Sequence, residues 1–314
     1  MINRRLIRIK TLQSVYSFRK SDSREFSTHF KEFEHSIQKS YELYLLCIQL
    51  LPELQHYAHI RIDQIKNRII KDEKEWQRLM PFANNRIILQ ISENKEFQSI
   101  VRNEKISWAH QQPLIKQLFK SIIESSLYES YSADEQSYEN DKRFVRKVCT
   151  SIIAETEDVY HFLEEHSIYW NDEVDYIISI VEKTIKLFKE TVAGGGEILP
   201  KYRDEEISYF SKILFTKTIE HWSDYNVIID KKLKNWEQER VAEIDVILLQ
   251  MAITEAVEFS EIPLKATLNE YIELAKWYST EKSNMFVNGL LHTIFKEMQE
   301  DKTIIKKGRG LLDL

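Results

Sequence analysis

Ile244, Ile247, Leu248, Met251 and Ala252 fall three and four residues apart, on one stripe of a helix. Ile207, Phe210, Ile213, Leu214 and Thr218 repeat that spacing, and Val287, Leu290, Leu291, Ile294 and Met298 repeat it again. Little interrupts these stripes. The 314 residues include 6 glycines and 5 prolines, too few to supply the turns a sheet needs. The pattern predicts an all-α protein.

Residues 3–19 read as a first helix, with Ile9, Leu12 and Tyr16 on one stripe and Arg4 and Arg8 on another face. Between about 28 and 75 the pattern stays helical through Tyr44, Leu45, Ile48, Leu51 and Leu54, with Pro52 expected to break it in two. Helices follow over 84–130, where Pro113 marks a start. The polar stretch 130–142 reads as a loop. A helix over 172–192 is expected to end at Gly194–Gly196, a plausible hinge. The organisation expected is an N-terminal lobe over 1–200 and a C-terminal lobe over 201–314. Within the latter, Thr267 and Glu270 have capping-box spacing. The cationic tail 301–310 is expected to be mobile.

A composition 43% hydrophobic and 30% charged excludes a disordered chain. No apolar run approaches the roughly 20 residues that span a bilayer. Arg8 and Lys10 interrupt what would be the apolar core of a signal peptide. Cys47 and Cys149 do not make a disulfide framework, so a reducing cytoplasm is expected. The formal net charge is -6, yet Arg4, Arg5, Arg8 and Lys10 precede any acid, the first being Asp22. The net charge argues against a chain that coats nucleic acid with its whole surface but leaves room for a local basic patch, since the local field attracts phosphate; taken alone, a cationic helix start reads as a solvated terminus.

Three stretches together are distinctive: residues 239–256 (ERVAEIDVILLQMAITEA), 262–278 (IPLKATLNEYIELAKWY) and 283–294 (SNMFVNGLLHTI). With Arg4, Arg5, Arg8 and the run Leu12-Gln13-Ser14-Val15-Tyr16, their order and spacing resemble the NusB family of bacterial transcription antitermination factors. The resemblance covers roughly 1–19 and 205–300. It implies a helical bundle of NusB type, here with a long helical insertion over about 20–200, to which the sequence assigns no role. Gln250, Thr254 and Lys282 depart from residues common in the family. The first two read as surface or packing changes, and the last as making the RNA face more basic.

The resemblance implies a non-enzymatic factor that binds single-stranded boxA-like RNA together with a small-subunit ribosomal protein, NusE, in a complex of RNA polymerase with other Nus factors. It implies RNA contacts at Arg4, Arg5, Arg8, Lys282 and Phe286. It implies partner-protein contacts at Tyr16, Glu239 and Asp245. Cations along the backbone and rings beneath the bases are how single strands are held. Taken alone, Phe286 reads as core, Asp245 as an exposed helix residue, and Tyr16 as half-buried with its hydroxyl available. Asn269 and Asn288 read as structural. Gly289 sits in a helical pattern at a cost of about 1 kcal/mol relative to Ala, which a close-approaching helix or ligand would offset.

No cofactor, metal or catalytic residue is expected. His161 and His166 are five apart, off the spacing that places two ligands on one helix face. The acids Glu155, Glu157, Asp158, Glu164 and Glu165 read as a solvated face. No phosphate-binding glycine motif or nucleophile motif occurs. One rival reading is an RNA-binding domain related to ribosomal RNA methyltransferases. Another is a helical scaffold that binds proteins but not RNA.

Overall fold

The computed structural model describes residues 1–69, 73–233 and 241–312. Among them are fifteen α-helices, and the single β-type contact is an isolated bridge between Ile2 and Tyr202. The described residues form two compact units, one of Met1 and residues 38–201, the other of residues 2–37 and 202–314. The expected lobe over 1–200 thus differs from the grouping observed: residues 2–37 go with the C-terminal segment. The reason is packing, because α1 (Arg4–Lys20) lies against α11 (Glu205–Glu220) and α13 (Glu243–Glu258).

In the unit of residues 2–37 and 202–314, α13 is the central element. Eleven of its sixteen residues are buried, so it is apolar nearly all round, as a helix surrounded by others must be. Around it pack α1, α11, α12 (Trp222–Leu233), α14 (Leu264–Tyr278) and α15 (Ser283–Glu300). The start of α2 (Phe26–Lys66) adds an aromatic cluster, with Phe33 stacked on Phe215 at 4.6 Å and Phe26 and Phe30 beside them. Gln250 and Thr254 are fully buried, so of the two readings offered for them packing holds and surface does not. Thr254 accepts from the Thr218 hydroxyl at 3.2 Å and Gln250 donates to the Trp222 carbonyl at 3.0 Å.

Thr267 does not cap a helix: α14 begins at Leu264 after Pro263, and Thr267 lies buried inside it. The tail over 301–310 is packed down. Ile304 is buried, the Lys307 amide donates to the Ser260 carbonyl at 3.0 Å, and Lys306 Nζ donates to the Phe259 carbonyl at 2.9 Å.

The other unit contains the rest of α2 and the helices α3 (Glu73–Ala83), α4 (Arg86–Glu93), α5 (Lys95–Asn103), α6 (Gln112–Ile123), α7 (Ser126–Ala133), α8 (Tyr138–Ser151), α9 (Glu157–His166) and α10 (Val174–Leu187). Pro52 does not break α2, which is a single helix of 41 residues. Burial of Ile48, Leu51, Leu54, Ala58, Ile62 and Ile65 on either side outweighs the roughly 3 kcal/mol that an internal proline costs. The loop expected over 130–142 shrinks to four residues, because Tyr131 and Phe144 stack at 4.0 Å and draw α7 and α8 together.

The glycine cluster lies inside the unit of residues 38–201 and is tied into a defined turn, which does not support the hinge expected there. Gly194 and Gly195 have φ of +68° and +78°, and a Cβ on Gly195 would lie 2.2 Å from the Phe188 ring. Asn94 Nδ2 donates to the carbonyls of Gly194 and Gly196 at 3.1 and 3.0 Å. Glycine is needed for both the backbone angle and the close approach.

Candidate nucleic-acid interface

Helix α1 starts at a cap: the Asn3 side chain accepts from the Leu6 amide at 3.0 Å. Its opening cations then diverge. Arg5 is exposed and, among the described residues, makes no ion pair. Arg4 is partly exposed, pairs with Glu206 and lies over the Phe210 ring, 5.6 Å from its centroid. Arg8 and Lys10 point inward, and 4% of Arg8 and none of Lys10 is accessible.

Arg8 corrects the expectation of a phosphate contact. Its Nε and Nη2 donate to the two carboxylate oxygens of Glu255, each at 2.7 Å, and Nη1 lies 3.2 Å from Glu270. The rings of Phe210 and Tyr271 flank the guanidinium at 5.4 and 6.0 Å. Glu255 has no accessible surface and also accepts from Thr267 Oγ1 at 2.8 Å and Tyr271 Oη at 3.1 Å. Burial opposes both charges. The pair outweighs it, holding the Glu255 carboxyl below its usual range and Arg8 above its own. Planar bidentate pairing of this kind is what a guanidinium makes best. One signal for it was present in the sequence: a lone acid in the apolar run Met251–Val257 must be buried and must find a cation.

At the other end of α1, Tyr16 is 39% exposed, so its ring and not merely its hydroxyl faces solvent. Lys20 Nζ lies 5.6 Å from that ring and pairs with Glu243 in the first turn of α13. Asp245 stands in the same turn but is 4% exposed. That corrects the reading of it as an exposed helix residue. Its Oδ2 accepts from Ser283 Oγ at 2.8 Å, while Oδ1 is buried with no hydrogen-bond partner among the described residues. Glu239 lies outside the described residues.

Lys282 is exposed at the N-cap of α15, next to the Ser283 that Asp245 holds. Phe286, one turn on, is partly exposed, so it is not simply core. Gly289 is exposed with nothing within 4 Å of where a Cβ would stand. Among the described residues no other helix approaches this glycine, which corrects half of the expectation and leaves an open backbone face. Trp277 and Met285, on either side of the α14–α15 turn, are 74% and 67% exposed. Neither was singled out from sequence, because apolar residues at helical spacing read as core.

Among the described residues no group of three or more His, Cys, Asp or Glu is placed to hold a metal ion. No helix among them is long and apolar enough to cross a membrane.

The model of the NusB family matches residues 181–296. A transcription antitermination protein NusB of Salinibacter ruber is 39% identical over 140 residues, 43% of this chain and 88% of the relative. One of Chloroherpeton thalassium is 41% identical over 101 residues, 32% of this chain and 48% of the relative. One of Clostridium kluyveri is 33% identical over 132 residues, 40% of this chain and 83% of the relative. No solved structure matches significantly.

Proposed function

The chain belongs to the NusB family, and on that premise we propose that it is a transcription antitermination factor that binds single-stranded boxA-like RNA. The observation that carries this reading is the solvent-facing Arg5 beside a half-exposed Arg4 at the start of α1, on a chain of net charge -6. Arg5 is the first phosphate contact. Arg4 joins it by exchanging Glu206 for a phosphate, with Phe210 still beneath its guanidinium. Lys282 adds a cation at α15, and Phe286 offers a ring to a base, a contact typically worth about 1–3 kcal/mol. Trp277 is a second exposed ring on the same helix pair. Arg8 acts through position: locked to Glu255, it fixes the first turns of α1 so that Arg4 and Arg5 face outward.

The protein partner in this reading is a NusE-type ribosomal protein, within a complex of RNA polymerase and other Nus factors. Tyr16 presents an exposed ring, and Asp245 has a carboxylate oxygen that lacks a donor among the described residues but is buried, so a partner must shift the turn around it to make contact. Such an oxygen is suited to a cation or N–H from a basic partner. Glu239 is retained as a third contact by family resemblance alone.

The deciding experiment is a titration of boxA-like RNA into the protein with and without the ribosomal partner, at several salt concentrations. Binding should be tighter with the partner and should weaken with salt, by about -0.7 in log–log slope per phosphate contact. Salt-independent binding, or none under either condition, would remove the RNA role.

A further inference from the structure

A cleft of about 890 Å³ opens in the unit of residues 38–201, between α2, α3 and α6. Among the described residues that line it, Arg61, Lys74, Arg78, Lys116 and Lys120 are cations and Glu75 and Glu124 are acids. This excess of positive charge stands on a chain whose net charge is -6. Helical spacing produces it, since Lys74 and Arg78 lie four apart on α3 and Lys116 and Lys120 four apart on α6. The two acids are already engaged: Glu75 by Arg68 at 2.7 Å and Arg61 at 3.8 Å, and Glu124 by Lys120 at 3.9 Å. Lys116 has no ion pair among the described residues.

The floor is apolar. Leu79, Phe119 and Ile123 are buried there, and the half-buried Tyr57 ring meets Phe119 edge-on at 5.3 Å and 72°. The walls are set without a ligand. Arg78 Nη2 donates to the Ile123 carbonyl at 2.8 Å, tying α3 to α6, and Tyr128 Oη donates to the Arg78 carbonyl at 2.6 Å. Like charges held this way repel one another, and an entering anion of several charges relieves that repulsion. The volume suits one compact organic ligand, sites for which run about 300–1,000 Å³.

We propose that this cleft binds a nucleoside di- or triphosphate, its phosphates held by Lys116, Lys120 and the α3 cations and its base laid against Tyr57. The site is separate from the proposed RNA contacts and does not depend on them.

Calorimetry on the full chain with adenosine triphosphate, guanosine triphosphate, inorganic tripolyphosphate and a short oligoribonucleotide tests this. A nucleotide should bind saturably, and K116E/K120E should weaken it about tenfold or more. Both lysines are exposed, so the far-ultraviolet circular dichroism should not change. Tyr57→Leu should weaken nucleotide but not tripolyphosphate. Absence of saturable nucleotide binding, or binding unchanged in K116E/K120E, overturns the proposal. Tripolyphosphate binding as tightly as nucleotide overturns the role given to Tyr57. Oligoribonucleotide bound by wild type and lost in K116E/K120E, with no nucleotide bound, makes the cleft an RNA surface and overturns the proposal as stated.

Discussion

Arg8→Ala removes both nitrogens that contact Glu255 at 2.7 Å and the one 3.2 Å from Glu270. Glu255 keeps the hydroxyls of Thr267 and Tyr271 but loses its charge partner inside the core. Breaking a buried pair from one side costs about 3–5 kcal/mol, and the two remaining hydroxyls place this case near the lower end. The pH dependence should reverse. In the wild type the folded Glu255 value is depressed by Arg8, despite burial. Its stabilisation is therefore full above the unfolded value, about 4.3, and is lost as pH falls through the folded value. In the variant burial, the largest influence, is opposed mainly by the Thr267 and Tyr271 hydroxyls and raises the folded value, so stability should be poorest at neutral pH and recover as the pH is lowered. Urea unfolding across pH, with amide hydrogen exchange on peptides from α13, reads both effects. Arg8→Met combined with Glu255→Gln should restore most of the loss, because no charge is then stranded. If Arg8→Ala leaves the urea midpoint and α13 protection unchanged but abolishes RNA binding, Arg8 is a phosphate ligand and the positioning role is refuted.

Arg5→Ala should weaken boxA-like RNA and flatten the log–log salt slope by about 0.7, the share of one phosphate. Asp245→Lys would press an ammonium against the buried Ser283 hydroxyl, so Asp245→Asn is the cleaner probe. It should cost the NusE-type partner about 2–5 kcal/mol if the charge is buried in that interface, and calorimetry should show RNA affinity of the chain alone unchanged. Burial pushes the Cys47 thiol up to about 12 and Cys149 higher still, so neither should react with a thiol reagent at neutral pH until urea unfolds the chain. Amide exchange should be slow over much of 30–190, and uniformly fast exchange there would show that the region is not folded as described.

The all-α class and the stripes of α11, α13 and α15 were legible because buried apolar positions repeat at the helical period. The direction of the cations was not. Periodicity places Arg8 on a face but does not say whether that face meets water or Glu255, which stands 247 residues away. Local rules also yielded where long-range packing was stronger. Pro52 by local rules favours a break, but apolar burial on both sides keeps α2 continuous. Thr267 and Glu270 had the spacing of a cap, but their side chains belong to the Arg8 cluster. Trp277 and Met285 were hidden for the opposite reason, since nothing in a helical stripe marks the residue left uncovered.

The separation between Arg8 and Glu255 also sets a timetable for the growing chain. At a synthesis rate of about 5–20 residues per second, the carboxylate is made roughly 12–50 s after the guanidinium. Residues 38–201, which form a compact unit by themselves, are all polymerised within that interval. Until α11 and α13 are made, the buried face of α1 lacks the helices that cover it, and Arg8 stays without its carboxylate to the end of the interval. Delayed translation between 201 and 255 would lengthen that window without changing a single contact in the finished protein.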